Sequence, residues 1–290
     1  MPKPNLFFAS VQWLAFQKSH PLGEVFNNPK GANFKGSFQL LKQLCNEHEE
    51  ELIQLFQTRF VQTNELNRAA YLYPIFAEIF QTVKKPLTLI EIGTSAGILL
   101  DMDQYNYEIT EGKETKEFGN PISPIKIRAR NNGKPLPISN ELIIQNRMGI
   151  DLNIIRLNEQ DDYNWMQALI WPEQKARKAL LEKVKEVNAI CPKTLAEGDF
   201  LEIIPSYIEK RNDDSQILIF HTHVANQFSS ELKKRLLVMI DDLSMKESVY
   251  HVYNNMDDVN LHVDLIHQGS TENLKEMINT DGHGRYFSWV

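Results

Sequence analysis

The residues best suited to chemistry lie in Glu91-Ile92-Gly93-Thr94-Ser95-Ala96-Gly97, at the end of the short apolar run that starts at Leu87. Glycine allows positive φ and close backbone approach, and the N–H groups at the start of a following helix can hold a negative group. The order reads as strand, tight turn, helix. A dinucleotide fingerprint would need glycine where Ser95 and Ile98 stand. A phosphate-binding loop would need Gly-Lys-Ser/Thr in place of Ile98-Leu99-Leu100, so neither fits. Gly93-x-Ser95-x-Gly97 has the spacing of a nucleophile elbow, with Ser95 as nucleophile, Asp199 or Asp264 as acid and His283 as base in the expected order. Such an elbow normally follows strands that supply the oxyanion loop, whereas the chain before Pro86 has helical spacing only. A further use of the loop turns on Glu91: a carboxylate at the end of a buried strand is costly unless paired, so it asks for a partner or a ligand. The bland alternative is a tight strand-to-helix turn that binds nothing.

Two more acids follow strand-like runs. Asp151 sits in Gly149-Ile150-Asp151-Leu152-Asn153 and Asp199 in Gly198-Asp199. A carboxylate there has the lone pairs to accept both hydroxyls of a ribose or an adenine amino group, while the bland alternative is a turn or a helix cap. Ile217-Leu218-Ile219-Phe220 delivers His221-Thr222-His223 to the carboxyl edge of a sheet, where ligands of open α/β sheets collect. Period-two geometry puts His221 and His223 on one side if the strand continues. His221 is the candidate base, and a hydrogen-bonded structural histidine is the equal alternative. No metal is expected: two histidines are too few ligands, and His251 is the sole third candidate. Arg68, Tyr71, Asp103 and Tyr105 flank the loop in sequence or precede it on a lid helix; with His223, they are the candidates for an acceptor pocket. Trp165, Trp171 and Leu169-Ile170 read as packing a helix on the sheet, with cofactor stacking by Trp171 as the lesser alternative.

These residues need positioning elements. From Pro4 to Val83 the apolar residues recur at three and four, as in Phe38, Leu41, Leu44 and Leu52, Leu55, Phe56, so an all-helical preface is expected. Thr63 or Asn64 is placed to cap its last helix, and Pro74 to kink or restart it. Strands are expected over Leu87–Ile92, from Leu142 to Asp151, and over Thr194–Glu197, Gln216–Phe220 and Val249–Tyr253. Two final strands, Leu261–Ile266 and Tyr286–Val290, would close the sheet antiparallel. Helices are expected from Asp161 to Val187, around Pro172, and over Ser230–Leu243. Asn131-Asn132-Gly133-Lys134 signals the turn of a hairpin-like insertion at about 103–141. Strands alternating with helices imply a mainly parallel sheet covered on both faces. The domains would be a helical region at 1–85 and an α/β domain at 86–290.

The chain has 290 residues, 38 acidic and 31 basic, for a net charge of -7, which disfavours a nucleic-acid partner. Cys45 and Cys191 lack any metal or disulfide spacing, and a reducing cytoplasm is expected. Leu6 to Phe16 is interrupted by Ser10 and Gln12 and reads as an amphipathic helix rather than a membrane segment.

Glu91 to Gly97 resembles the acid-x-Gly-x-Gly-x-Gly end of the first strand in class I methyltransferases that use S-adenosylmethionine (SAM), with Ser95 in place of the middle glycine. That stretch, Tyr105-Asn106-Tyr107, Gly149 to Asn153, Ala168 to Gln174, Gly198-Asp199, Phe220 to His223 and the terminal His283-Gly284…Trp289 together resemble a bacterial domain of unknown function, 2332. The likeness spans nearly the whole chain, and Thr222 stands where that family commonly has serine. The resemblance implies a Rossmann-like, doubly wound, mainly parallel seven-stranded sheet. It implies SAM held by Glu91, Gly93, Ser95, Gly97, Asp151, Gly198 and Asp199, and methyl transfer to a small-molecule acceptor with His221 taking the proton. A serine hydrolase using Ser95 and a SAM- or nucleoside-binding protein without catalysis are the alternatives.

Overall fold

The computed structural model describes residues 3–29, 34–62, 65–138 and 141–290. Thr63 and Asn64, the expected cap, lie outside them. The chain forms two compact units: residues 1–63 with 155–189, and residues 64–154 with 190–290.

The first unit is helical: α1 (Lys3–Gln17), α2 (Leu22–Asn27), α3 (Phe34–Glu47), α4 (Glu49–Thr58), α6 (Gln160–Leu169) and α7 (Lys175–Ile190), while α5 (Ala69–Val83) belongs to the other unit. Leu6, Val11, Leu14, Leu44, Leu52 and Leu55 pack around Trp165. Trp165 therefore fills a helical core rather than pinning a helix to the sheet. Its indole N–H donates to the carbonyl of Phe60 (2.9 Å). Gln12, buried within α1, donates to the carbonyls of Ala168 (2.9 Å) and Ile170 (3.2 Å) and so satisfies the open carboxyl end of α6. Trp171 is 42% exposed and packs against Phe8.

The second unit holds two sheets. β1 (Leu87–Ile92), β5 (Ile144–Asp151), β6 (Thr194–Glu197), β7 (Gln216–His221), β8 (Val249–Tyr253), β9 (Leu261–His267) and β10 (Ser270–Met277) form a seven-stranded sheet in the order β10-β9-β8-β7-β1-β5-β6. Its five strands from β8 to β6 are parallel, and β9 and β10 add antiparallel, so the sheet is mixed though mostly parallel. Every residue of β1 and β7 is buried, as expected of central strands covered on both faces. β10, Ser-Thr-Glu-Asn-Leu-Lys-Glu-Met, has no apolar alternation. It takes the closing position expected for Tyr286–Val290.

β2 (Asn106–Glu111), β3 (Glu114–Gly119), β4 (Lys126–Asn131) and β11 (Tyr286–Phe287) form a four-stranded sheet in the order β11-β4-β2-β3. The insertion does contain a hairpin, but its turn is Gly112-Lys113, not Asn131 to Lys134. Asn131 is instead a buried hub: its amide donates to Glu111 Oε1 and the Lys134 carbonyl, and its oxygen accepts from the N–H groups of Gly133 and Trp289. That bend seats the C-terminal strand.

Helix α5 runs unbroken through Pro74, which stands in its second turn, so the expected restart does not occur. It lies between the sheets: Phe76 meets Phe220 of β7, Tyr73 meets Tyr107 and Phe118, and Tyr71 meets Phe287. On the opposite face of the large sheet, α8 (Phe200–Lys210) and α9 (Ser230–Ser244) bury Ile204, Leu236 and Ile240 against Ile90, Ile92, Ile217 and Ile219. The chain between β1 and β5 contains no α-helix among its described residues; a 3-10 turn (Leu99–Gln104) and the β2–β4 strands fill that crossover. The helix expected after Gly97 is therefore absent.

Candidate functional site

β1, the middle strand of the parallel set, ends in the glycine loop. Gly93, Ser95 and Gly97 have φ of 76°, 52° and 68°, so the turn uses left-handed backbone at three alternate residues. A side chain at 93 would also collide with Val224, whose Cγ2 would stand 2.7 Å from the added carbon. The N–H groups of Gly93 and Thr94 donate to the Ile150 carbonyl (2.8 and 3.2 Å), and the N–H of Ser95 donates to Asp151 Oδ2 (2.8 Å). The Asp151 carbonyl in turn accepts from the N–H of Gly198 (2.9 Å). The ends of β1, β5 and β6 are thus laced together, with Glu91, Asp151 and Asp199 gathered at one edge of the sheet.

The three acids have different tasks. Glu91 is buried and accepts from the Thr94 hydroxyl (2.6 Å), so it braces the loop from beneath. Burial pushes its carboxyl up to about 8; Asp151 and Asp101 add to the rise, and the Thr94 bond and Arg68 oppose it. Asp151 is half-buried and also accepts from the N–H of Asn153 (3.2 Å). Asp199 caps α8, accepting from the N–H of Leu201 (2.9 Å). Its replacement by alanine is expected to cost about 1 kcal/mol, the usual loss for a removed N-cap, and a urea midpoint unchanged within error would show that the cap carries no load.

His221 is not at the edge. It points into the α8–α9 face of the sheet, opposite to the face of Glu91, whose register partner on β7 is Phe220. It is fully buried, its Nε2 meets His251 Nε2 at 3.1 Å, and its Nδ1 has no partner among the described residues. Burial, with Lys233 second, lowers its pKa to about 3, so it is a neutral core imidazole rather than a base. His223 does reach the edge. It lies beyond the strand, with φ of 57°, so the two rings do not share a side. It is half-buried between Asn254 (3.2 Å) and Asn255 (3.4 Å), and burial followed by Arg68 and His283 lowers its pKa to about 4.

Of the acceptor-pocket candidates, Tyr105 is a core residue whose hydroxyl donates to the Ile98 carbonyl. Asp103 is taken by Arg147 (2.6 Å). Arg68 is buried at the carboxyl end of β7, where it donates to Thr222 (3.3 Å). The positive φ of Ser95 suits a nucleophile elbow, but the relay behind it is not assembled. His283 is bonded to Glu65 (3.0 Å), Asp264 accepts from Tyr253 and Asn273, and Asp199 caps a helix. Sequence spacing did not single out Asp258, His262 and Glu276, whose ligand-type atoms lie within 4.8 Å of one another. The signal was the β9–β10 register, which makes His262 and Glu276 partners.

Among the described residues no helix is long and apolar enough to cross a membrane. No curated protein and no solved structure matches the chain. One family model does match, over residues 1–289, and the chain accordingly belongs to the family described as "Uncharacterized protein conserved in bacteria (DUF2332)".

Proposed function

We propose that the carboxyl edge of the large sheet around Gly93–Gly97 binds SAM and that the chain passes its methyl group to a small molecule. The observation that carries the proposal is Asp151, a half-exposed acid on the strand beside β1 whose side chain bonds the glycine loop and whose carbonyl bonds Gly198. The strand order supports it: numbered along the chain, the large sheet runs 3-2-1-4-5-6-7. Its first six positions follow the order of doubly wound dinucleotide-binding sheets, whose ligands lie at the carboxyl edge where the order reverses. The antiparallel β9 and β10 are a departure from an all-parallel sheet.

The residues fit the cofactor in part. A carboxylate has the lone pairs to accept a ribose diol, and Asp151 is only half-buried at the edge. Exposed Asp199 would serve the adenine side. Glu91 does not fit a ligand contact, because it is buried beneath the loop and bonded to Thr94. SAM would supply a sulfonium-activated methyl group, and the chain's task would be to orient it and exclude water. His223, neutral at physiological pH and at the edge, replaces His221 as the group able to accept a proton from the acceptor.

Titration calorimetry with SAM and S-adenosylhomocysteine tests the proposal. Both are expected to bind, and Asp151→Ala to weaken both at least tenfold, about 1.4 kcal/mol. Absence of heat from folded wild-type protein would end it. Transfer of labelled methyl from SAM to a metabolite extract separates an enzyme from a binder.

A further inference from the structure

Arg68 is the last residue of a 3-10 turn, Leu66–Arg68, at the point where α5 begins, and it is 7% exposed. Its Nε donates to the Gly282 carbonyl (2.9 Å), and its Nη1 to the carbonyl and the hydroxyl of Thr222 (both 3.3 Å). All three acceptors are neutral. Among the described residues no carboxylate forms an ion pair with this guanidinium, and Nη2 takes no hydrogen bond. Three acids in its surroundings are bonded to other groups: Asp281 to Arg285 (2.8 and 3.0 Å), Glu65 to His283 (3.0 Å) and Glu91 to Thr94 (2.6 Å).

A buried guanidinium with no direct ion-pair partner is unfavourable, because the hydration it loses is replaced only by contacts with neutral oxygens. The surrounding backbone adds to the imbalance. Helix α5 has fifteen residues and no acid in its first turn, so the positive end of its dipole reinforces Arg68 instead of offsetting it. One turn further along, on the same side of the helix, Tyr71 is fully buried and its hydroxyl has no partner among the described residues, a second donor whose acceptor is missing. This orphan hydroxyl and positive potential lie at the carboxyl end of β7, next to Thr222 and His223, and Val224 abuts Gly93 of the β1 loop.

We infer that Arg68, with Thr222 beside it and Tyr71 behind it, forms a binding site for the oxyanion of a small molecule, a carboxylate or a phosphate. Gly282 and Thr222 hold the fork of Arg68 through Nε and Nη1 and leave Nη2 for an oxyanion, a group that a guanidinium binds well. The site does not rest on the SAM proposal. It would accept the amino-acid carboxylate of that cofactor or an acidic group on a separate substrate, and the two sources are separable.

Thermal unfolding of the full chain is the test, with inorganic phosphate and succinate added at an ionic strength held constant by sodium chloride. Both anions are expected to raise the midpoint with saturating dependence. Arg68→Lys, which keeps the charge but loses the fork, and Tyr71→Phe, which removes the orphan hydroxyl, are each expected to weaken anion binding tenfold or more. Tyr71→Phe should fold at least as well as the native chain, so a misfolded Arg68 variant leaves the test intact. A midpoint that rises no more than with chloride alone, or an equal rise in both variants, would overturn the site and leave Arg68 as a tie between β7 and the Gly282 loop. Anion binding that persists at saturating S-adenosylhomocysteine assigns the site to a separate acidic substrate. Competition with S-adenosylhomocysteine but not with 5′-methylthioadenosine, which lacks the carboxylate, assigns it to the cofactor. Anion shifts without any response to SAM would uphold this site and defeat the methyltransferase proposal.

Discussion

Glu91→Gln is expected to stabilise the chain above pH 8 and to flatten the rise in stability that the native chain shows as the pH falls from about 8 towards 4.5. The cause lies in the strand that carries the residue. Glu91 sits within a buried run, between Ile90 and Ile92, and its carboxyl accepts the hydroxyl of Thr94. That carboxyl, raised from 4.5 to about 8, stays protonated in the folded chain where the unfolded chain is already ionised. The folded state therefore binds more protons, and the benefit is fully present below 4.5 and lost as the pH rises through 8. A tenfold change in an ionisation equilibrium corresponds to about 1.4 kcal/mol, so the gain from glutamine at pH 9 is on the order of 3 kcal/mol or more. The amide keeps an acceptor for Thr94 and carries no charge to desolvate. Asp101, raised by burial from 3.8 to about 6, contributes in the same sense at lower pH, so the variant keeps a smaller acid-side slope. Guanidinium unfolding at pH 5, 7 and 9 decides it: an equal effect of the substitution at all three would show that Glu91 is ionised in the fold.

The positions of the strands that build this edge were legible because their physics is local. The runs at Leu87, Gln216 and Val249 are apolar, β-branched and bounded by turn residues, and the parallel strands fall where those runs do. What was illegible depends on partners distant in sequence. β10 is polar on both sides because it closes the sheet as an exposed edge, where no buried face forces alternation. His221 looks like an edge residue in sequence, yet β7 extends one residue further than its apolar run and turns the ring inward against His251. Arg68, in Leu66-Asn67-Arg68-Ala69-Ala70, is a pocket candidate only through its place before the glycine loop; its burial against Thr222 and Gly282, more than 150 residues away, has no local signal. The carboxylates at the strand ends were legible as a set, but not their division of labour into brace, loop anchor and helix cap.

Lys193→Ala is expected to cost about 3–5 kcal/mol at neutral pH, the range for removing one partner of a buried ion pair. Lys193 Nζ stands 2.7 Å from Asp101 Oδ2, and the two side chains are 6% and 0% exposed. Asp101 lies in the 3-10 turn Leu99–Gln104 that replaces the usual crossover helix, so this pair ties the chain just after the glycine loop to the start of β6. The nearby Arg147–Asp103 pair, at 2.6 Å, grips the same turn. Without the lysine, Asp101 is left buried without its cation, and its carboxyl rises further above the value of about 6 that it already has. The loss should therefore be largest above pH 7 and shrink as the pH falls below about 5, where Asp101 is neutral in the folded variant. The double variant Asp101→Asn with Lys193→Met tests whether charge or shape is at stake. If the cost is that of an orphaned carboxylate, the pair of substitutions recovers most of the lost stability, since an uncharged pair of similar volume has no desolvation to overcome. If the double variant is as unstable as Lys193→Ala, the packing of the turn rather than its charge holds the loop, and the pH dependence of the single variant will be flat.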